Sequence, residues 1–125
     1  MESVKGHIIA GAGDFCRRMT KFRDVFTKKV GEELYPATLN VKIDQEIKIR
    51  EEFRILGAEI DEPGQDLLFE NCLINGIKAF RIRPFRLSSG GGGHADNILE
   101  IACSRRIPNA EPGSKVEVTF FRPLT

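Results

Sequence analysis

Tryptophan is absent from this chain and tyrosine occurs once, against nine phenylalanines, so aromatic packing has to rest on phenyl rings. Neither sign of charge is in excess: 19 Lys and Arg stand against 18 Asp and Glu, a formal net charge of +1. Charge therefore gives no reason to expect a polyanionic partner, and neither nucleic acid nor a membrane surface is expected. No apolar run approaches the length of a membrane span and no secretion signal is visible at the N-terminus, so a cytoplasmic location is expected. Cysteine is scarce. Cys16, Cys72 and Cys103 are widely separated and odd in number, which points to reduced thiols and not to a disulfide framework or a zinc site. At 125 residues the chain suits one domain, 1–125, with a core of its own.

What the chain does contain is a stiff entry into a strand. Pro36 fixes its own φ and drives Tyr35 toward extended geometry. Strict alternation follows, with Leu39, Val41 and Ile43 on one face and Thr38, Asn40 and Lys42 on the other. A hydroxyl and a carboxamide two residues apart at a strand mouth suit a hard cation such as Mg²⁺, which keeps most of its waters and takes further oxygens from phosphate. The same two residues could equally tie down a strand end.

Around this segment the pattern is short strands, tight turns and one early helix. Val4 to Ala10 read as a strand running into Gly11-Ala12-Gly13-Asp14, where glycine permits unusual backbone angles. From Phe15 to Val30 the apolar residues Phe15, Met19, Phe22, Phe26 and Val30 recur at helical spacing, with Asp14 as N-cap and Gly31 as stop. Alternation continues through Glu46 to Ile49, Arg54 to Ile60 suggests a further strand, and Asp61-Glu62-Pro63-Gly64 a turn. Leu67–Ile74 and Ile77–Pro84 flank Asn75-Gly76, the strongest hairpin signal present. Ser88 to Gly93 is too glycine-rich for a regular element and reads as a loop. Asn97 to Ala102 and Val116 to Phe120 complete the strands, and a mainly β fold, most simply a small closed barrel, is expected.

Three further places could carry chemistry. Gly11 to Asp14 could cradle phosphate or be a plain turn; it lacks the Gly-Lys-Ser/Thr of a Walker A loop. The tetraglycine run ending in His94 could close over a ligand or be a surface loop. Glu100, flanked by Ile98, Leu99 and Ile101, could face solvent or accept hydrogen bonds from a polyhydroxyl ligand, and Arg105-Arg106 could meet phosphate or water.

These pieces occur in an order that resembles the CTP-dependent riboflavin kinases of the archaeal type. Leu34-Tyr35-Pro36-Ala37-Thr38-Leu39-Asn40-Val41 is similar to that family's P-[YF]-P-G-T-L-N segment, and Gly11-Ala12-Gly13-Asp14 stands where its glycine turn does. Asn75-Gly76 falls at its I-N-G hairpin, and His94 to Ile101 resembles its late H-x-x-[DE] run ending in Glu. The resemblance covers nearly the whole chain. It implies a six-stranded cradle-loop (RIFT-type) barrel that moves the γ-phosphoryl of CTP to the 5′-hydroxyl of riboflavin, giving CDP and FMN. It also implies Mg²⁺ on Thr38 and Asn40, and nucleotide against Gly11, Ala12, Gly13, Asp14, Phe15 and Cys16. Arg105 or Arg106 would replace the family's later nucleotide-binding residues, whose Leu-Arg becomes Ile107-Pro108 here. On the acceptor side stand Glu100, His94, and Gly92 at the place of a flavin-contacting threonine. Ala37 replaces the glycine before Thr38, and Phe15 the last glycine of the turn. A related kinase with another acceptor, a non-catalytic nucleotide- or flavin-binding barrel, and a regulator-type barrel are the alternatives.

Overall fold

The computed structural model describes residues 1–11, 15–88 and 96–124. Seven strands form one antiparallel sheet: β1 (Glu2–Ile9), β2 (Thr38–Ile43), β3 (Phe53–Ile55), β4 (Leu67–Ile74), β5 (Ile77–Pro84), β6 (Ile98–Cys103) and β7 (Lys115–Phe120). The order is β3-β4-β5-β6-β2-β1-β7, and β7 pairs back onto β4. That last pairing, Cys72 with Phe120 through Ile74 with Val118, closes six strands into a barrel and leaves β3 as a short edge outside it. Closure removes the exposed edges that an open sheet of this size would present.

Alternation along each strand divides the side chains between two cores. Inside the barrel lie Val41, Ile43, Cys72, Ile74, Leu99, Ile101, Val118 and Phe120. A second cluster sits on the outer wall of β4, β5 and β6, where Phe69, Phe80, Ile82 and Ala102 meet the helices α1 (Phe15–Lys21) and α2 (Arg23–Val30). Phe53 stacks on Phe69 with centroids 4.8 Å apart, and Phe26 meets Phe69 edge-on at 6.3 Å. Phenyl rings thus provide the aromatic packing that the missing tryptophan leaves to them.

The early helical stretch is two helices. Phe22 leaves helical geometry (φ −110°, ψ 33°) while Phe22 N still donates to Arg18 O and Phe26 N to Phe22 O, so the chain bends without losing its hydrogen bonds. The bend lets Phe15, Met19 and Phe26 all reach the curved outer wall. Gly31 ends α2 at φ 89°, donating to Thr27 O, as its position suggested. The expected cap Asp14 lies outside the described residues.

Two expected strands are shorter or missing. Residues 44–50 are irregular although Ile47 is buried, because Arg81 from inside the barrel takes the Ile47 carbonyl at 2.6 Å. The strand expected over Arg54 to Ile60 stops at Ile55 and becomes a 3₁₀ turn, Gly57–Ile60. Asp66 accepts from Gly57 N and Glu59 from Leu56 N, both at 2.8 Å, and these side-chain bonds replace strand pairing. A Cβ at Gly57 would meet Glu62 O at 1.9 Å, so this turn requires glycine. The Asn75-Gly76 hairpin forms where expected, with φ 49° and 78°.

Glu70, Arg81 and Arg83 alternate into the barrel interior and are buried. Arg122 binds Glu70 through Nε at 2.6 Å and Nη2 at 3.0 Å, and Arg50 N adds a bond at 2.9 Å. Asp96 Oδ1 lies 3.1 Å from Arg83 Nε and 3.9 Å from Arg81 Nη2. Burial, reinforced by Arg83, pulls the Arg81 guanidinium down to about 10. Among the described residues no helix is long and apolar enough to cross a membrane.

Candidate functional site

The site grows out of the entry to β2. Tyr35 N donates to Cys103 O at 2.8 Å and Ala37 N to Tyr35 O at 2.7 Å, so Pro36 sits at the centre of a three-residue turn anchored to the end of β6. That turn fixes where Thr38 starts its strand. In the β2–β6 register Thr38 faces Ala102 and Asn40 faces Glu100. All four belong to the outer wall, since Leu39, Val41, Leu99 and Ile101 take the inside.

Thr38 Oγ1 donates to Glu100 Oε2 at 2.8 Å. Burial holds the Glu100 carboxyl above the usual carboxylate range; the Thr38 hydrogen bond and the charge of Arg18 pull it partly back. Asn40 is only 6% exposed although it lies on the outer wall. Gly11 covers it so closely that a Cβ there would stand 2.5 Å from Asn40 Nδ2, so a larger residue at this position would displace the carboxamide. Asn40 Oδ1 is buried with no hydrogen-bond partner among the described residues. A buried carbonyl oxygen without a donor is costly unless something else satisfies it.

The donor set fits a hard divalent cation. Asn40 Oδ1 offers free lone pairs, Thr38 Oγ1 keeps lone pairs beyond its bond to Glu100, and a carboxylate stands directly opposite. Among the described residues no group of three or more His, Cys, Asp or Glu could hold a metal.

Beside Thr38 opens a cavity of about 330 Å³ whose lining includes Tyr35, Cys103, Arg105, Arg106 and Ile107. The arginine pair, 67 residues from Thr38 in Arg105's case (105 − 38), is thereby brought to the same opening. Burial pushes the Cys103 thiol up to about 11, so it lines this space as an apolar wall and not as a nucleophile. A larger groove of about 690 Å³, lined by Lys5, His7, Lys42, Lys115 and Glu117 among others, lies on β1 and β7 and holds none of these groups. Size alone does not locate the chemistry, and the smaller cavity is the one next to the oxygen cluster.

Of the residues singled out in the sequence, Thr38, Asn40, Glu100 and Gly11 meet on this wall, while Arg105 and Arg106 line the neighbouring cavity, which shares Thr38 with it. Phe15 is buried in the outer cluster and Cys16 is an exposed free thiol on α1. Ala12, Gly13, Asp14, Gly92 and His94, with the tetraglycine run, lie outside the described residues. Sequence reading overlooked Arg18, whose charge reaches Glu100, and the membership of Tyr35 in the cavity wall. The one tyrosine, directly before the Pro36 turn, was the available signal for the second; nothing local marks the first.

Fold and site together define a closed six-stranded β-barrel with an oxygen-rich polar cluster on its outer wall and an arginine-lined cavity that shares Thr38 with it. The chain is 32% identical over 126 residues to a riboflavin kinase of Staphylothermus marinus, an alignment covering 94% of this chain and 91% of that protein. Riboflavin kinases of Thermofilum pendens and Methanocella arvoryzae are 29% and 27% identical, and the chain spans 58% and 56% of their lengths. No protein-family model matches. The chain belongs to the riboflavin kinase family.

Proposed function

We propose that this protein phosphorylates riboflavin, moving the γ-phosphoryl of CTP to the flavin's 5′-hydroxyl to give FMN and CDP, with residues 1–125 acting as one barrel domain. The observation that carries the reading is the buried Asn40 Oδ1, without a partner among the described residues, beside the Thr38–Glu100 hydrogen bond. Kinship with proteins named riboflavin kinase supplies the acceptor. The choice of CTP as donor rests on the resemblance of the segment around Thr38 and Asn40 and on the cavity beside it.

In this reading Thr38 Oγ1 and Asn40 Oδ1 hold Mg²⁺. When bound, the ion neutralises negative charge gathering on the transferred phosphoryl group. The protein's own work is placement. Glu100, held by Thr38, accepts a hydrogen bond from a hydroxyl of the acceptor and orients it. Arg105 and Arg106 line the space for the nucleotide, and the resemblance assigns Gly11, Ala12, Gly13, Asp14, Phe15 and Cys16 to its phosphates. The resemblance assigns Gly92 and His94 to the acceptor.

Incubation of the protein with riboflavin, Mg²⁺ and each nucleoside triphosphate in turn, with chromatographic detection of FMN, tests the assignment. FMN formed from CTP in preference to ATP, GTP and UTP is expected. No FMN with any donor removes riboflavin as the acceptor.

A further inference from the structure

Helix α1 crosses the wall that carries the oxygen cluster. Its Phe15 and Met19 are buried in one cluster with Phe80, Ile82 and Ala102. Glu100 lies on that wall two residues before Ala102, opposite Ile82 on one side and Asn40 on the other. Arg18 leaves α1 between the two buried residues, with its guanidinium carbon 5.6 Å from the centre of the Phe15 ring. It also lines a cavity of about 230 Å³ together with Arg17, Lys21, Phe22 and Glu62.

Besides the Phe15 ring, Arg18 is restrained among the described residues by one ion pair, Nη2 to Glu62 Oε1 at 3.0 Å, between side chains 29% and 31% exposed. Glu62 does not depend on it for position, because Glu62 N donates to Gly57 O at 2.8 Å and Glu62 O accepts from Gln65 N at 3.0 Å. A one-point pair between partly solvated groups is weak and easily exchanged. Guanidinium with phosphate is a stronger match, since its planar fork can meet two phosphate oxygens together. Phe15 and Met19, on either side of Arg18 in the chain, pack in one cluster with Ala102 of the strand that carries Glu100 and with Ile82 opposite it, so Arg18 projects from a helix seated on the same wall.

We propose that Arg18 is a further substrate-contacting residue, whose guanidinium leaves Glu62 and pairs with the phosphates of a nucleoside triphosphate bound at the Thr38–Asn40–Glu100 wall. The identity of the ligand rests on the function proposed above. Glu62 then acts as a resting partner that competes with the ligand, which gives the two halves of one ion pair opposite effects on binding.

Calorimetric titration of the full chain with CTP and with cytidine, both in Mg²⁺, tests this in wild type, Arg18→Ala, Arg18→Lys and Glu62→Gln, alongside thermal unfolding of each. Loss of one charge-assisted contact predicts CTP binding weakened about tenfold or more in Arg18→Ala, with partial recovery in Arg18→Lys. Glu62→Gln is expected to bind CTP more tightly than wild type, and cytidine, which has no phosphate, to be indifferent to all three changes. A purely structural tie predicts that Arg18→Ala and Glu62→Gln both lower the unfolding temperature and leave CTP affinity alone, and that result overturns the inference. Wild type that binds CTP with unchanged Arg18→Ala affinity overturns Arg18 alone; wild type that binds no nucleotide overturns the kinase reading together with it.

Discussion

The hydroxyl of Thr38 donates to the carboxylate of Glu100 at 2.8 Å, joining two strands whose residues stand 62 positions apart in the chain. The bond orients the carboxylate that faces Asn40 and, with the charge of Arg18, offsets part of the rise that burial imposes on the Glu100 carboxyl. Thr38→Val keeps the shape and removes the hydroxyl. It should leave a partly buried carboxylate without its donor, at about 1–3 kcal/mol. FMN formation should fall by about 10–100-fold, the range seen when a metal site loses an ordering group. Thr38→Ser should retain most of the rate. The check is kcat/KM in both variants beside urea unfolding.

The interior network gives a prediction about stability alone. Glu70 is fully buried and held by Arg122 and Arg50 N, so Glu70→Gln removes one partner of a desolvated pair. Such losses cost about 3–5 kcal/mol. The Lys78–Glu32 pair is comparable in length at 2.8 Å, but its lysine is 61% exposed. Removing it should change stability by no more than about 1 kcal/mol. Chemical unfolding of the two variants should separate them clearly, while the folded fraction of each keeps wild-type turnover.

Acid sensitivity should be traceable to Asp66. The Gly57 backbone N–H and then Arg54 hold its carboxyl below the ordinary 3.8. A depressed folded value means that the native state binds fewer protons than the unfolded chain, so this contribution is present above pH 3.8 and lost as pH falls through the lower folded value. Asp66→Asn should therefore be less stable than wild type at pH 7 and lose less on acidification. Unfolding midpoints measured from pH 7 down to about pH 2 show whether the two curves converge.

Tyr35 offers an optical reading of the cavity. With one tyrosine and no tryptophan, the chain's intrinsic emission comes from the cavity wall beside Arg105 and Arg106. CTP titration should change tyrosine emission saturably, and Arg105→Ala combined with Arg106→Ala should shift the midpoint to higher concentration. Emission that stays flat while CTP raises the unfolding temperature would put the nucleotide elsewhere.

Much of the barrel was legible because its signals are local. Asn75-Gly76 specifies its own turn geometry, and the alternation from Leu39 to Ile43 carries over directly into inward and outward faces. What failed did so where distant partners decide the backbone. Arg54 to Ile60 has a strand-like pattern, but Asp66 and the close approach at Gly57 turn it into 3₁₀. The helical spacing from Phe15 to Val30 is real, yet the curved wall breaks it at Phe22. Charged residues inside a barrel defy the apolar rule, so Glu70 and Arg81 gave no warning of where they lie. In the site, Thr38 and Asn40 could be read from their own strand. Their partnership with Glu100, and the nearness of Arg18, depend on a strand pairing and a helix position that no short window contains.

The central claim is that Asn40 Oδ1, buried with no hydrogen-bond partner among the described residues, serves a cation during phosphoryl transfer. The most direct measurement is the rate of FMN formation as a function of Mg²⁺ concentration in wild type and Asn40→Ala, with unfolding free energy determined in parallel. The account predicts that Asn40→Ala needs about 10–100-fold more Mg²⁺ for half-maximal rate, or loses the rate outright, while its stability stays within about 1 kcal/mol of wild type. An Asn40→Ala protein whose Mg²⁺ dependence and rate overlay those of wild type would contradict it.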